Sequence, residues 1–368
     1  MTETPTVRQT DEGRERQRLT DADAYRVARM VCEKYLSANR IAHILYPDEY
    51  NSKKKQDKSR AIMRVKHLLR RAADRGILTV TPPPNERLAG ELRKRPEFRD
   101  IRFEVVDDWD DSQLLDPAEA VYREAARLVA EKIGALMREK KGPVVVGNAG
   151  GPALSRLAEY LPAVSMDYED AASRLCFISL NAARSADRYD LSANFVAVRM
   201  AAIFGGRHIA SLRRMPEKIK RQHDVRLREV DLLVCGSGAK TGFLGRWLKE
   251  VCHVNALPKS VVGDICLIPI DDSGKEVGLT ARAAKSIRED LRPEPPYDEL
   301  KRLASQDKVL VVFAYPPTAP GDQAAGVGTP ASKTKIATAI LRQPLTKWCV
   351  LGSSLAEQVL SFSKAEHR

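Results

Sequence analysis

No apolar run in this chain of 368 residues approaches the roughly 18 that a membrane-crossing helix requires, so no membrane partner is expected. The opening stretch, TETPTVRQTDEGRERQR after the first methionine, lacks the apolar segment of a secretory signal. It predicts a cytoplasmic protein with a disordered tail over 1–19. Cysteine is sparse and scattered: Cys32, Cys176, Cys235, Cys252, Cys266 and Cys349 form no C-x-x-C and pair with no histidine. That spacing argues against zinc, iron–sulfur and disulfide frameworks, and most of these residues read as small members of a core. No metal and no cofactor is expected. Neither G-x-G-x-x-G nor G-x-x-x-x-G-K-[ST] stands in its proper context, and H-E-x-x-H and G-x-S-x-G are absent. Glycine and proline, at 21 each, are too few for collagen-like or low-complexity sequence.

What remains is a globular composition, 43% hydrophobic and 30% charged, in a chain longer than one core usually organises. Two domains follow: residues 20–84, then 85–368. The net charge is +12, and it is not spread evenly. Between Lys53 and Arg75 stand ten basic and two acidic residues, so this short stretch carries about two thirds of the excess. Concentrated positive charge attracts a phosphate backbone by Coulomb attraction and counterion release.

The pattern beneath that charge is helical. Thr20 or Asp21 can cap a helix with Ala24, Val27, Ala28, Val31 and Tyr35 on one face. Ser37 can cap a second, Ala38 to Leu45, with Ile41, Ile44 and Leu45 inward; Tyr46-Pro47-Asp48 stops it. Residues 48–57 read as a polar, mobile loop. A third helix is predicted from about Ser59 to Arg75, ended by Gly76. Ile62, Val65, Leu69 and Ala72 make its apolar stripe, and Arg60, Arg64, His67 and Arg71 a basic stripe opposite. Ile77 to Thr81 then reads as the strand of a wing. Three helices with a basic third helix and a trailing strand form a winged helix-turn-helix plan. Arg64 and His67 are expected at base edges, with Arg60, Lys66, Arg70 and Arg71 along the phosphates.

Residues 82–115, with a short helix, a strand from Ile101 to Val106 and an acidic loop, read as the connection to the second domain. Asp116-Pro117 opens a long helix to Lys140. Apolar runs then alternate with helical patterns: Val144–Val146, Leu175–Leu180, His208–Leu212, Val230–Cys235, Val309–Ala314 and Trp348–Leu351 read as strands. The expected fold class is α/β, a Rossmann-like domain with a mainly parallel sheet covered on both faces. Ligands in such sheets bind beyond the carboxyl ends of strands. Three of those ends are rich in small residues: Gly147-Asn148-Ala149-Gly150-Gly151, Asn181-Ala182-Ala183-Arg184 and Gly236-Ser237-Gly238-Ala239-Lys240. Small residues let backbone N–H groups approach an anion, and a following helix N-terminus favours it. His223 and His253 read as surface or packing residues.

The segments VARMVCEKYLSANRIAHIL and VKHLLRRAADRGILTV resemble the DNA-binding head of the SorC family of sugar-binding transcriptional regulators. VVVGNAGGPALSRLAEYLP, LNAARS, VDLLVCGSG and VVGDICLIPIDDSGKEV resemble its effector domain, so the likeness runs from about Tyr25 to Phe362. It implies a double-stranded DNA operator, a sugar or sugar-phosphate effector, no enzyme activity, and a homodimer or homotetramer. By motif it places the effector at Gly147, Asn148, Gly150, Gly151, Asn181, Arg184, Gly236, Ser237, Gly238 and Asp264. A lysine before the last long helix matches Lys335, with Lys333 as its near rival. The chain departs from the family where G-R-T is usual: it has Gly151-Pro152-Ala153, without the arginine and hydroxyl that meet a phosphate. The loop after Ala314 is enlarged, and Gly352-Ser353-Ser354 stands where an acidic turn is usual. The alternative is a sugar-phosphate isomerase-like enzyme with a basic N-terminal extension, in which Asp264 and Lys240 serve as base and cation.

Overall fold

The computed structural model describes residues 20–32, 37–74, 84–107, 117–164, 168, 170–182, 191–212, 217–250, 253, 257–313, 330–343 and 345–365. The chain divides into two compact units, Met1–Val80 and Thr81–Arg368. The expected tail over 1–19 and the expected wing strand lie outside the described residues.

The first unit holds α1 (Asp21–Cys32), α2 (Ala38–Leu45), the single turn α3 (Pro47–Tyr50) and α4 (Lys55–Asp74). Thr20 caps α1 reciprocally: its Oγ1 accepts from Asp23 N at 3.1 Å, and Asp23 Oδ2 accepts from Thr20 N at 3.1 Å. Ser37 caps α2 by accepting from Arg40 N. The basic helix starts earlier than its pattern indicates. Ser52 Oγ accepts from Lys54 N and donates to Asp57 Oδ2, which gathers the polar stretch into the start of α4. Its buried stripe is Ala61, Val65, Leu68 and Ala72, packed on Ala24, Val27, Ala28 and Ile41. Val65 and Ala72 are buried as expected, whereas Ile62 and Leu69 lie half-buried at the margin and Ala61 and Leu68 take their places, a partial rotation of the expected stripe. Small Ala61 lets α4 pack closely, whereas the apolar residues alone favour bulkier Ile62. Ile44, expected inward, is exposed at 42%.

The second unit begins with α5 (Glu86–Arg93), β1 (Arg102–Val106), α6 (Pro117–Glu139), β2 (Val144–Asn148), α7 (Pro152–Tyr160), α8 (Ala171–Arg174) and β3 (Leu175–Ser179). It continues with α9 (Ala193–Phe204), β4 (Arg207–Ile209), α10 (Glu217–Arg228), β5 (Leu232–Ala239), α11 (Phe243–Glu250), β6 (Gly263–Ile265) and β7 (Ile268–Ile270). It closes with α12 (Ala281–Ser286), α13 (Tyr297–Ser305), β8 (Val309–Phe313), α14 (Pro330–Arg342), β9 (Trp348–Gly352) and α15 (Ser353–Ala365). Seven strands pair in parallel in the order β1-β9-β8-β5-β2-β3-β4.

Side chains alternate along each strand, so a parallel sheet with helices on both faces needs apolar residues on both. Val145, Ile178, Leu233, Val311 and Cys349 face one core with Leu88, Leu303, Ile336, Ile340 and Leu355. Val144, Val146, Phe177, Val234, Leu310 and Val350 face the other with Val121, Ile133, Leu157, Val196 and Met200. Cys176, Cys235, Cys266 and Cys349 are buried free thiols, as the apolar runs around them predict. The stretch read as a connection is part of this body: β1 pairs with β9, and Leu88, Ala89 and Leu92 of α5 join the core. The antiparallel hairpin β6–β7, off the end of β5, has no counterpart among the expected strands. Among the described residues, no helix is long and apolar enough to cross a membrane.

Candidate functional site

Parallel pairing sets β5, β2 and β3 side by side with their carboxyl ends at one edge. The register places Asn148 beside both Ser179 and Val234, so the three small-residue turns follow adjacent strands. The first turn is built by glycine for two separate reasons. A side chain at Gly150 would lie 2.6 Å from Leu191 O, and Gly151 has φ +105°. Gly151 N donates to Leu191 O at 2.7 Å, and Asn148 Nδ2 donates to Ala193 O at 2.9 Å. These bonds fasten the turn to the start of α9 and leave Asn148 fully buried.

β5 outruns its parallel neighbours and pairs with β6, which sets Gly238 against Asp264. A Cβ on Gly238 would sit 2.1 Å from Asp264 Oδ2, so only glycine admits the carboxylate there. Lys333 of α14 reaches the same place and donates from Nζ to Ser237 O at 2.6 Å. Burial pushes the Asp264 carboxyl up to about 6 although the Lys333 charge opposes it. Burial likewise brings the Lys333 ammonium down to about 8 against the pull of Asp264.

Among the described residues, four buried oxygens at these strand ends have no hydrogen-bond partner: Asn148 Oδ1, Ser179 Oγ, Asn181 Oδ1 and Ser237 Oγ. Buried polar atoms are nearly always satisfied, so each of these oxygens marks a place for a polar group from outside the chain. Hydroxyls suit it, because each can donate to one oxygen and accept from a neighbouring donor.

The expected residues fall unequally around this centre. Gly238 and Asp264 pair across β5 and β6, Asn148 and Asn181 lie buried at and just beyond the ends of β2 and β3, and Lys333, not Lys335, supplies the buried cation beside Ser237. Lys335 is exposed. Lys333 shares its face of α14 with Ile336, Ala337 and Ile340, at spacings of three, four and seven, whereas Lys335 falls on the opposite side. That periodicity was the available signal. Lys240 is committed elsewhere, donating to Pro258 O at 2.9 Å and Lys259 O at 3.3 Å. Arg184 lies outside the described residues.

In the first unit, the solvent face of α4 carries Arg60, Met63, Lys66, His67 and Arg70. Arg64 does not share it. Its guanidinium pairs with Glu49 and stands 5.5 Å from the centre of the Tyr46 ring, which pins α3 to α4. Arg71 is half-buried.

The full-length sorbitol operon regulator SorC from Klebsiella pneumoniae superposes over 92% of this chain and 99% of its own, with a TM-score of 0.51 at 16% identity. The chain has the fold of that regulator. A transcriptional regulator from Streptococcus pneumoniae TIGR4 (TM-score 0.54, 18% identity) covers 76% of this chain and 97% of its own. A DeoR family transcriptional regulator from Listeria monocytogenes (TM-score 0.53, 16% identity) covers 74% and 98%. No protein-family model and no curated protein matches the sequence.

Proposed function

We propose that this protein is a DNA-binding transcriptional regulator whose operator affinity is set by a sugar or sugar phosphate bound at the ends of β2, β3 and β5. The observation carrying the reading is the solvent face of α4, where Arg60, Lys66, His67 and Arg70 stand exposed around Met63 on a compact helical unit. A long basic helix with one buried and one free face suits a major groove. The regulators of like fold supply the context, and the partnerless oxygens with Lys333 supply a place for a polyhydroxylated, anionic effector. Residues 20–84 are the DNA-binding part, and 85–368 the effector-binding and self-associating part. Pro152 and Ala153 stand where the family usually has an arginine and a hydroxyl, so the acid group depends on Lys333.

Selection of duplexes from random-sequence DNA, followed by anisotropy titrations with and without sugars and sugar phosphates, tests this. A recovered consensus whose affinity shifts with one effector supports it; uniform binding at all sequences overturns it. The isomerase-like reading draws on the Asp264–Lys333 pair, an acid near 6 beside an amine near 8. Turnover of a sugar phosphate by the purified protein would decide for catalysis.

A further inference from the structure

His223, in the middle of α10, has no exposed surface. Its Nε2 lies 2.9 Å from Ser179 O, and a carbonyl can only accept, so the proton sits on Nε2. That leaves the lone pair of a neutral ring on Nδ1, 3.1 Å from Glu294 Oε2. Among the described residues, neither atom has a hydrogen-bond partner. Two buried lone-pair atoms at this distance require a positive centre between them. The carboxylate of Asp224, the next residue on α10, comes within 4.8 Å of both. Arg292 engages the other oxygen of Glu294, Oε1, at 3.3 Å and leaves Oε2 free.

We propose that His223 Nδ1, Asp224 and Glu294 Oε2 form a binding site for a divalent transition metal of the zinc class. One imidazole with two carboxylates is a borderline donor set, suited to zinc or cobalt rather than to all-oxygen calcium or magnesium sites. Metal bonds of about 2.0–2.2 Å place neighbouring ligand atoms a little over 3 Å apart, which is the His223–Glu294 separation. The Nε2–H bond to Ser179 O is the outer support that metal-binding histidines use to fix tautomer and ring plane. With both carboxylates ionised, they outweigh the Arg292 guanidinium, so the cluster is net negative and attracts a cation. Glu294 N also donates to Leu180 O at 2.9 Å, and Ala182 N to Leu291 O at 2.8 Å. The ion therefore clasps α10 and the 291–294 segment to the end of β3. This site borders the proposed effector place at the end of β3, but its test requires neither DNA nor effector.

The test uses untagged full-length protein stripped with a chelator. Calorimetric titration with Zn2+ should give one ion per chain, and Co2+ should develop the visible bands of a nitrogen–oxygen site. His223→Gln and Glu294→Gln should each weaken binding at least tenfold, and zinc should raise Tm only in the parent protein. Asp224→Asn, at a more exposed position, keeps the question answerable where the buried variants fail to fold. Absence of stoichiometric binding overturns the proposal, as does binding that survives His223→Gln or, where that variant fails to fold, Asp224→Asn. A Tm that responds to pH but not to zinc also overturns it, and identifies a shared proton as the bridging charge.

Discussion

Asp264 and Lys333 are two buried ionisable groups that interact where β5 meets β6, and each is held away from its ordinary titration range. The signs are opposite. Asp264 is raised from 3.8, so its contribution to stability is complete below that value and is lost as pH rises through about 6. Lys333 is lowered from 10.5, so its contribution is complete above that value and is lost as pH falls through about 8. Between 6 and 8 both are charged, and each depends on the other. Removing one partner strands the other, so Lys333→Met should cost about 3–5 kcal/mol in denaturant titrations at pH 7. The double variant with Asp264→Asn should recover most of that loss, and failure to recover would show the pair does not interact. Affinity for an anionic effector should fall as pH rises through about 8, where Lys333 loses its charge; calorimetry at pH 7 and 9 reads this directly. Asp264 entered the expected site through the family resemblance, which also put Lys335 ahead of Lys333. His223 and Glu294 lie far apart along the chain, and no local pattern connects them.

At the scale of the element, α4 has one face for the head's core and one for solvent, with Arg64 at the boundary. Arg60→Ala or His67→Ala should weaken binding to the selected duplex by about 1–3 kcal/mol for a base contact and relax the consensus at that position. Arg64→Ala should instead lower the Tm of the head and weaken all duplexes alike, because it releases α3. A consensus altered by Arg64→Ala alone would place that residue in the groove. Met63, exposed at 47% in the middle of the basic face, is suited to the methyl group of a thymine. Replacing dT by dU at one operator position should weaken binding by the parent protein but not by Met63→Ala. The helix itself was legible from its charge and period. Its rotation was not, because burial of Ala61 and Leu68 depends on how closely α1 and α2 approach. The strand–helix alternation of the second unit was read correctly wherever apolar runs were continuous, whereas three-residue β6 and β7 are too short to show a period.

For the whole molecule, a helix-turn-helix head reads a half-site, and two-fold operators follow when two heads act together. The selected consensus should therefore be an inverted repeat with half-sites separated by whole helical turns. Residues 85–368 alone should self-associate at micromolar concentration; light scattering that finds only monomer would remove the basis for paired heads.

The pairing of β1 with β9 joins the two ends of the second unit, Arg102 to Trp348, across almost its whole sequence. During synthesis β1 must wait until nearly all of this unit has left the ribosome before its neighbour in the sheet exists. The first unit is compact within residues 1–80, all of which are made well before β9. A nascent chain therefore carries a finished basic helix while its sheet is still incomplete. On the proposed function, the nascent chain would engage nucleic acid before it could respond to any small molecule.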